Sequence, residues 1–95
     1  MSDTAAEMPR YQCHKQVWAL KIESIELVRV PSTEGQGELV GAFITPVEEG
    51  YTPFRVDREY VQKHEPQAGG YYVVYKDGYA SFSPAQAFEE GYTRI

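Results

Sequence analysis

The sequence predicts an α+β domain: a mainly antiparallel β-sheet of about five strands with two short helices packed on it. Three observations carry that reading. Trp18, Leu20 and Ile22 fall on one strand face with Ala19, Lys21 and Glu23 on the other, and residues 39–45 form a second apolar strand run. Asp77 and Gly78 stand between runs of aromatic and β-branched residues, the mark of a β-hairpin. Two capped helical stretches interrupt the strands, but not in the repeating strand–helix–strand order that builds a parallel sheet.

Residues 1–9 are small, polar and unpatterned and are expected to form a disordered tail, leaving residues 10–95 as a single domain. In the first strand Trp18, Leu20 and Ile22 share a face, yet Ile25 and Leu27 continue with the opposite parity. A strand whose apolar set changes parity carries a bulge or bends, here near Glu23 and Ser24. Residues 31–38 (PSTEGQGE) have loop composition, residues 39–45 return antiparallel, residues 46–53 form a second loop and residues 54–56 a short strand. Asp57 is placed to cap the first helix, with Val56 and Val61 as a hydrophobic staple. That helix runs to about Glu65, because Pro66 disfavours helix at the residue before it.

At Asp77 and Gly78 the pattern calls for a two-residue type I′ turn, pairing Tyr75 with Ala80 and Val73 with Phe82. This register assigns Tyr71, Val73, Tyr75, Ala80 and Phe82 to the core face. It leaves Tyr72, Val74, Lys76, Tyr79, Ser81 and Ser83 on the other. Ser83, Pro84 and Gln86 read as the capping box of the second helix, and Gly91 closes it. Phe88 turns back to the sheet, and residues 92–95 leave as a tail or edge strand.

Composition bounds the function. Nine Lys and Arg stand against fourteen Asp and Glu, a formal net charge of −5, which argues against wrapping a phosphate backbone. A chain of 95 residues buries only about 60–65% of its unfolded surface, so its core is thin. The single cysteine, Cys13, allows no internal disulfide and suits a reducing cytoplasm. Self-association is then the expected prop, and the chain is read as a homo-oligomer. No apolar run approaches a membrane span, and the N-terminus lacks a signal-peptide pattern.

Few residues suggest chemistry. Cys13 and His14 are adjacent, so on a strand they point to opposite faces and make no nucleophile–base pair. Cys13, His14 and His64 have no metal-ligand spacing, and neither a metal nor a cofactor is expected. Of the acid pairs Glu48 and Glu49, Asp57 and Glu59, and Glu89 and Glu90, the first and last read as solvated surface, the last at the unfavourable end of its helix dipole. No glycine-rich phosphate loop is present. The polar hairpin face is more suggestive. Tyr72 and Tyr79 are diagonal neighbours with Lys76, Ser81 and Ser83 around them, and Arg55 and Arg58 lie beside the other helix start. Rings on tyrosine, and phosphate on a helix end and arginine, would suit a small nucleotide. The bland alternative is that Ser83 merely caps its helix and the tyrosines simply fit a pleated surface.

Residues 69–92, GGYYVVYKDGYASFSPAQAFEEGY, resemble the C-terminal module of a set of small accessory proteins encoded by tailed bacteriophages and prophages. The stretches CHKQVWALKI (13–22) and GYTPFRVDREYVQKHEP (50–66) resemble the same set. The resemblance brings no catalytic residues to transfer. It implies a non-enzymatic protein of the host bacterial cytoplasm that acts by binding, with sequestration of a small nucleotide immune signal as the expected role. Its alternatives are an inhibitor of a host defence protein and a minor virion protein.

Overall fold

The structure, a computed structural model, describes residues 8–12, 16–32 and 35–94. Within them the chain forms β1 (Arg10–Gln12), β2 (Gln16–Ser32), β3 (Gly35–Pro46), β4 (Phe54–Asp57), α1 (Arg58–His64), β5 (Tyr71–Val74), β6 (Ala80–Ser83), α2 (Ala85–Gly91) and β7 (Thr93–Arg94). Every strand pairing is antiparallel, and the fold is α+β as the sequence implied. The long strand β2 serves two sheets. Its first part lies between β1 and β5, with Trp18 opposite Arg10 on one side and Val74 on the other, giving the order β7-β1-β2-β5-β6. From Ile22 onward β2 pairs with β3, and β3 with β4.

The parity slip in the sequence is a bulge within one continuous strand. Ile22 faces Pro46 and Ser24 faces Thr45, so Glu23 is the extra residue. The expected loop at 31–38 is largely strand instead: β2 runs on to Ser32 and β3 starts at Gly35. Glycine makes this possible. Gly37 has φ of 87°, and a Cβ there would sit 2.8 Å from the Val30 carbonyl oxygen. Residues 1–7 of the expected tail, and Cys13 and His14, lie outside the described residues. Met8 and Pro9 do not behave as a tail: both are buried, and the Pro9 carbonyl accepts the Ala19 N–H at 2.9 Å.

The β5–β6 hairpin departs from expectation by one residue. Val74 pairs with Ala80, Val73 with Ser81, Tyr72 with Phe82 and Tyr71 with Ser83. A type I′ turn needs positive φ at both central residues, but among the described residues only Glu65 and certain glycines have it, Gly78 included at 93°. Asp77 instead accepts the Tyr79 N–H at 3.0 Å through its side chain, and the Tyr75 N–H reaches the Tyr79 carbonyl at 2.9 Å. The loop is therefore three residues, Lys76 to Gly78. The shift brings Tyr72, Ala80 and Phe82 together on one face of the sheet, and Tyr71, Val73, Ser81 and Ser83 on the other.

Each face carries a helix. Under α1 lie Ile22, Ala42, Ile44 and Val56 with Tyr60 and Val61 of the helix, and Tyr72 and Phe82 pack against them. Under α2 lie Val17, Ala19, Tyr71 and Val73 around Phe88. Asp57 caps α1 as expected, accepting the Tyr60 N–H at 2.8 Å, and Glu65 ends it in the left-handed conformation. Ser83 does not cap α2. The helix begins one residue later, with Pro84 extended at the cap position and the Phe88 N–H on the Pro84 carbonyl. The Ser83 hydroxyl turns to that same carbonyl at 3.4 Å. Gly91 is the last helical residue, not a left-handed cap.

Phe88 anchors α2. It is 1% exposed and stacked between Tyr71 and Tyr92, with ring centroids 4.2 and 4.6 Å away. Glu89, expected as solvated surface, accepts from the Tyr71 hydroxyl at 2.8 Å and from Lys21 Nζ at 3.2 Å. Those bonds, the Tyr71 one foremost, hold its carboxyl below the ordinary 4.5.

Phe88→Ala is expected to lower stability by about 3–5 kcal/mol in urea titration, through lost burial and the cavity left. Glu89→Gln is expected to melt lower than wild type at neutral pH. Because the folded value is depressed, that advantage of the wild type is complete above the unfolded value of 4.5. The two melting curves should converge as pH falls through the folded value.

Candidate functional site

The one-residue register of the hairpin creates a cleft between α1 and the β5–β6 hairpin. Its volume is about 510 Å³, within the range of small-ligand sites. β4 contributes Arg55. Tyr60, Lys63 and His64 project from α1 at the three- and four-residue spacing that places them on one helical face. Tyr72 and Tyr79 supply the opposite wall, and the carboxylates of Asp57 and Glu59 stand at the margin.

Tyr60 is the fixed post of this cleft. It is 8% exposed and its hydroxyl donates to the Ser81 carbonyl at 2.7 Å, tying α1 to β6. Burial, reinforced by the phenols of Tyr72 and Tyr79, pushes its pKa far above the ordinary tyrosine value, so it stays a donor throughout the accessible pH range. Around it lie His64 at 4.8 Å and Tyr72 at 5.6 Å between ring centroids. The Tyr79 hydroxyl and His64 Nε2 are in hydrogen-bond contact at 3.2 Å. Burial and the adjacent Lys63 lower the His64 pKa below its ordinary 6.5, so the ring is neutral at neutral pH. Lys63 Nζ sits 5.1 Å from the Tyr79 ring centre, a cation–π distance.

Three of the residues singled out in the sequence meet here: Tyr72, Tyr79 and Arg55. Tyr72 is not the solvent-facing surplus the type I′ register made it. It is half-buried, edge-on to Phe54 at 4.7 Å, because the shifted pairing turns it toward α1. Burial, and then the Asp57 charge, raise its pKa. Tyr79 remains exposed at 44%. Arg55 borders the cleft at the β4 edge, but its guanidinium reaches the Val40 carbonyl at 3.5 Å and lies over the Phe43 ring at 6.0 Å, on the sheet face away from α1.

The other four are elsewhere. Arg58 is paired with Glu38 at 2.8 Å, facing β3. Ser81 contributes its carbonyl to Tyr60, while its hydroxyl donates to Tyr75 at 3.4 Å on the opposite sheet face. Ser83 lies on that face too, away from the cleft. Lys76 lines a second cleft of about 720 Å³ with Gln16, Trp18, Tyr75, Asp77 and Tyr79. The helix-end phosphate site expected at Ser83 is thus not built. Lys63 and His64 were legible only as the face shared with Tyr60 once Asp57 is taken as the cap.

Fold and site together define a small α+β domain with an aromatic cleft edged by Lys63 and His64. No protein-family model, curated protein or solved structure matches the chain. Among the described residues no helix is long and apolar enough to cross a membrane, and no three His, Cys, Asp or Glu cluster as a metal site.

Tyr60→Phe is expected to cost about 1 kcal/mol in urea titration, since the Ser81 carbonyl loses its donor while the packing of the ring is kept. An unchanged midpoint would show that the hydroxyl is not what ties α1 to β6.

Proposed function

We propose that this chain is a non-enzymatic, phage-encoded accessory protein that acts in the host bacterial cytoplasm by sequestering a small nucleotide-type signal. The observation that carries the ligand class is the convergence of Lys63 and His64 with the rings of Tyr72 and Tyr79 in one cleft. An ammonium group supplies a charge-assisted bond to a phosphate, and tyrosine supplies flat apolar walls. The phage context comes from the resemblance of residues 69–92.

The charge balance narrows the ligand. Lys63 is opposed by Asp57 and Glu59 at the same cleft, and His64 is neutral at neutral pH. A phosphodiester or monophosphate with one or two charges fits this balance better than a polyphosphate. A second reading, direct inhibition of a host defence protein, draws on Leu27, Val30 and Phe43, which stand 48%, 43% and 40% exposed on β2 and β3.

Calorimetry against AMP, cyclic AMP and ADP-ribose is expected to give saturable heat with at least one of them. Lys63→Ala should weaken it by about tenfold, and Arg55→Ala, whose guanidinium lies on the Phe43 face, hardly at all. Cyclic AMP, a phosphodiester whose charge is constant between pH 5 and 7, should bind more tightly as pH falls and His64 gains its proton, a gain His64→Gln should abolish. Absence of heat and of thermal shift with the whole panel would remove the nucleotide reading. Co-purification of a host protein, lost on Leu27→Ser with Val30→Ser, would favour the second.

A further inference from the structure

The edge of β2 that faces β5 is open for most of its length. β5 pairs only with Trp18 to Lys21, and beyond Ile22 no strand among the described residues covers that edge. From Glu23 to Pro31 every residue is exposed or half-buried, Leu27 at 48% exposure. β4 covers β3 only at Gly41 to Ile44, so the outer part of β2 and β3 is a two-stranded ribbon. Such a ribbon is marginal in water unless a further strand joins it. We infer that this edge pairs with the same edge of a second copy of the chain, antiparallel about a two-fold axis at Leu27.

Backbone direction sets the register. Ile22 donates to Gly70 and accepts from Gly69, so its polar groups point to the β5 side. The bulge at Glu23 inserts one residue and hands that orientation to Ile25, and the two-residue period then gives it to Leu27 and Arg29. The open stretch is bounded by the bulge at one end. At the other it is bounded by Pro31, which also faces outward but has no N–H to donate. Leu27 lies midway between Glu23 and Pro31. An antiparallel pairing that uses the whole stretch therefore sets Leu27 against Leu27 of the second copy, with Ile25 against Arg29 on each side. Each of these facing pairs exchanges two backbone bonds, roughly six in all. Moving the axis to Glu26 would bring two carboxylates face to face, and moving it to Val28 would set Ile25 against Pro31 and lose a donor.

The side chains favour the same register. Ile25, Leu27 and Arg29 stand opposite Ile44, Ala42 and Leu39, on the sheet face that bears α1. Joined at Leu27, the two copies make one apolar strip, running from Ala42 through both Leu27 side chains to Ala42 and flanked by the stems of Arg29. A foreign strand would have to supply that match, whereas a second copy has it by symmetry. None of the described residues lining the α1 cleft lies on β2, so the dimer carries two such clefts and stands whether or not they take a nucleotide.

Sedimentation equilibrium of the full chain at micromolar concentration should return twice the chain mass of 10.8 kDa. Leu27→Lys sets two ammonium groups together at the axis, and it should return the single mass with an unchanged circular dichroism spectrum. In a Cys13→Ser background, Leu27→Cys should form an intermolecular disulfide with diamide as oxidant, since facing residues in such a pair have Cα atoms about 5.5 Å apart. Arg29→Cys, whose twin lies four residues along the ladder, should not. The pairing is overturned by a wild-type chain of single mass, whether or not a host protein binds at Leu27. A folded Leu27→Lys chain that keeps twice the mass, or a disulfide formed as readily by Arg29→Cys, would overturn it too.

Discussion

At Ile22 the backbone of β2 hands over from one sheet to the other, and the rest of the structure hangs on the bonds made there. Ile22 donates its N–H to the Gly70 carbonyl and accepts the Gly69 N–H at its own, both at 2.8 Å, while the preceding Lys21 carbonyl takes the Val47 N–H at 2.9 Å. The side chain of Ile22 is 1% exposed and packs with Ala42, Ile44 and Val56 beneath α1. One residue therefore ends the pairing with β5, begins the pairing with β3 and fills the core at the junction. The bulge at Glu23 follows because the strand must turn its apolar set toward a new partner once the old one is left behind.

The same junction sets where β5 starts, and β5 sets the hairpin. With Tyr71 opposite Lys21 and Trp18 opposite Val74, odd and even positions of β5 are committed before the turn is reached. The turn then has to close in a way that serves both faces. A three-residue loop with glycine at its last position does so, and buries Tyr72 against α1 and Tyr71 against α2. Asp77 followed by Gly78 announced a hairpin correctly but not its length, because these two residues suit both turn types. The deciding contacts, on Lys21 and Phe88, are distant in sequence.

That difference explains what the sequence disclosed of the fold and of the candidate site. The strand runs at 17–22 and 39–45, the Asp57 cap and the parity change at Glu23 are local signals, and the structure has all of them. The β1 and β7 strands carry no local signal, since two or three residues show no period; β1 forms against β2, and β7 against β1. For the site, Arg55, Tyr72 and Tyr79 were legible as residue types suited to a ligand. Tyr72 and Tyr79 were grouped by a shared sheet face and Arg55 by a helix start, but the cleft arises from α1 crossing over the sheet. Ser83 and Arg58 were misplaced for matching reasons: a helix that starts one residue late removes the cap, and Glu38 captures the guanidinium.

The attachment of α2 has a consequence for how the molecule opens. No side chain caps its first turn, and Phe88 is its one buried residue. α1, by contrast, is capped by Asp57 and pinned through Tyr60 to β6. Local opening of a native protein follows such differences in anchoring. Amide exchange should accordingly be faster in α2 than in α1, since α2 lifts by withdrawing Phe88 and breaking the Glu89 bonds to Tyr71 and Lys21. In that partly open form Tyr71 and Val73 become surface while Ile22 and its sheet junction stay intact. The two faces of β5 thus differ in lifetime: the one under α1 is the longer-lived, and the one under α2 is intermittently available to the solvent.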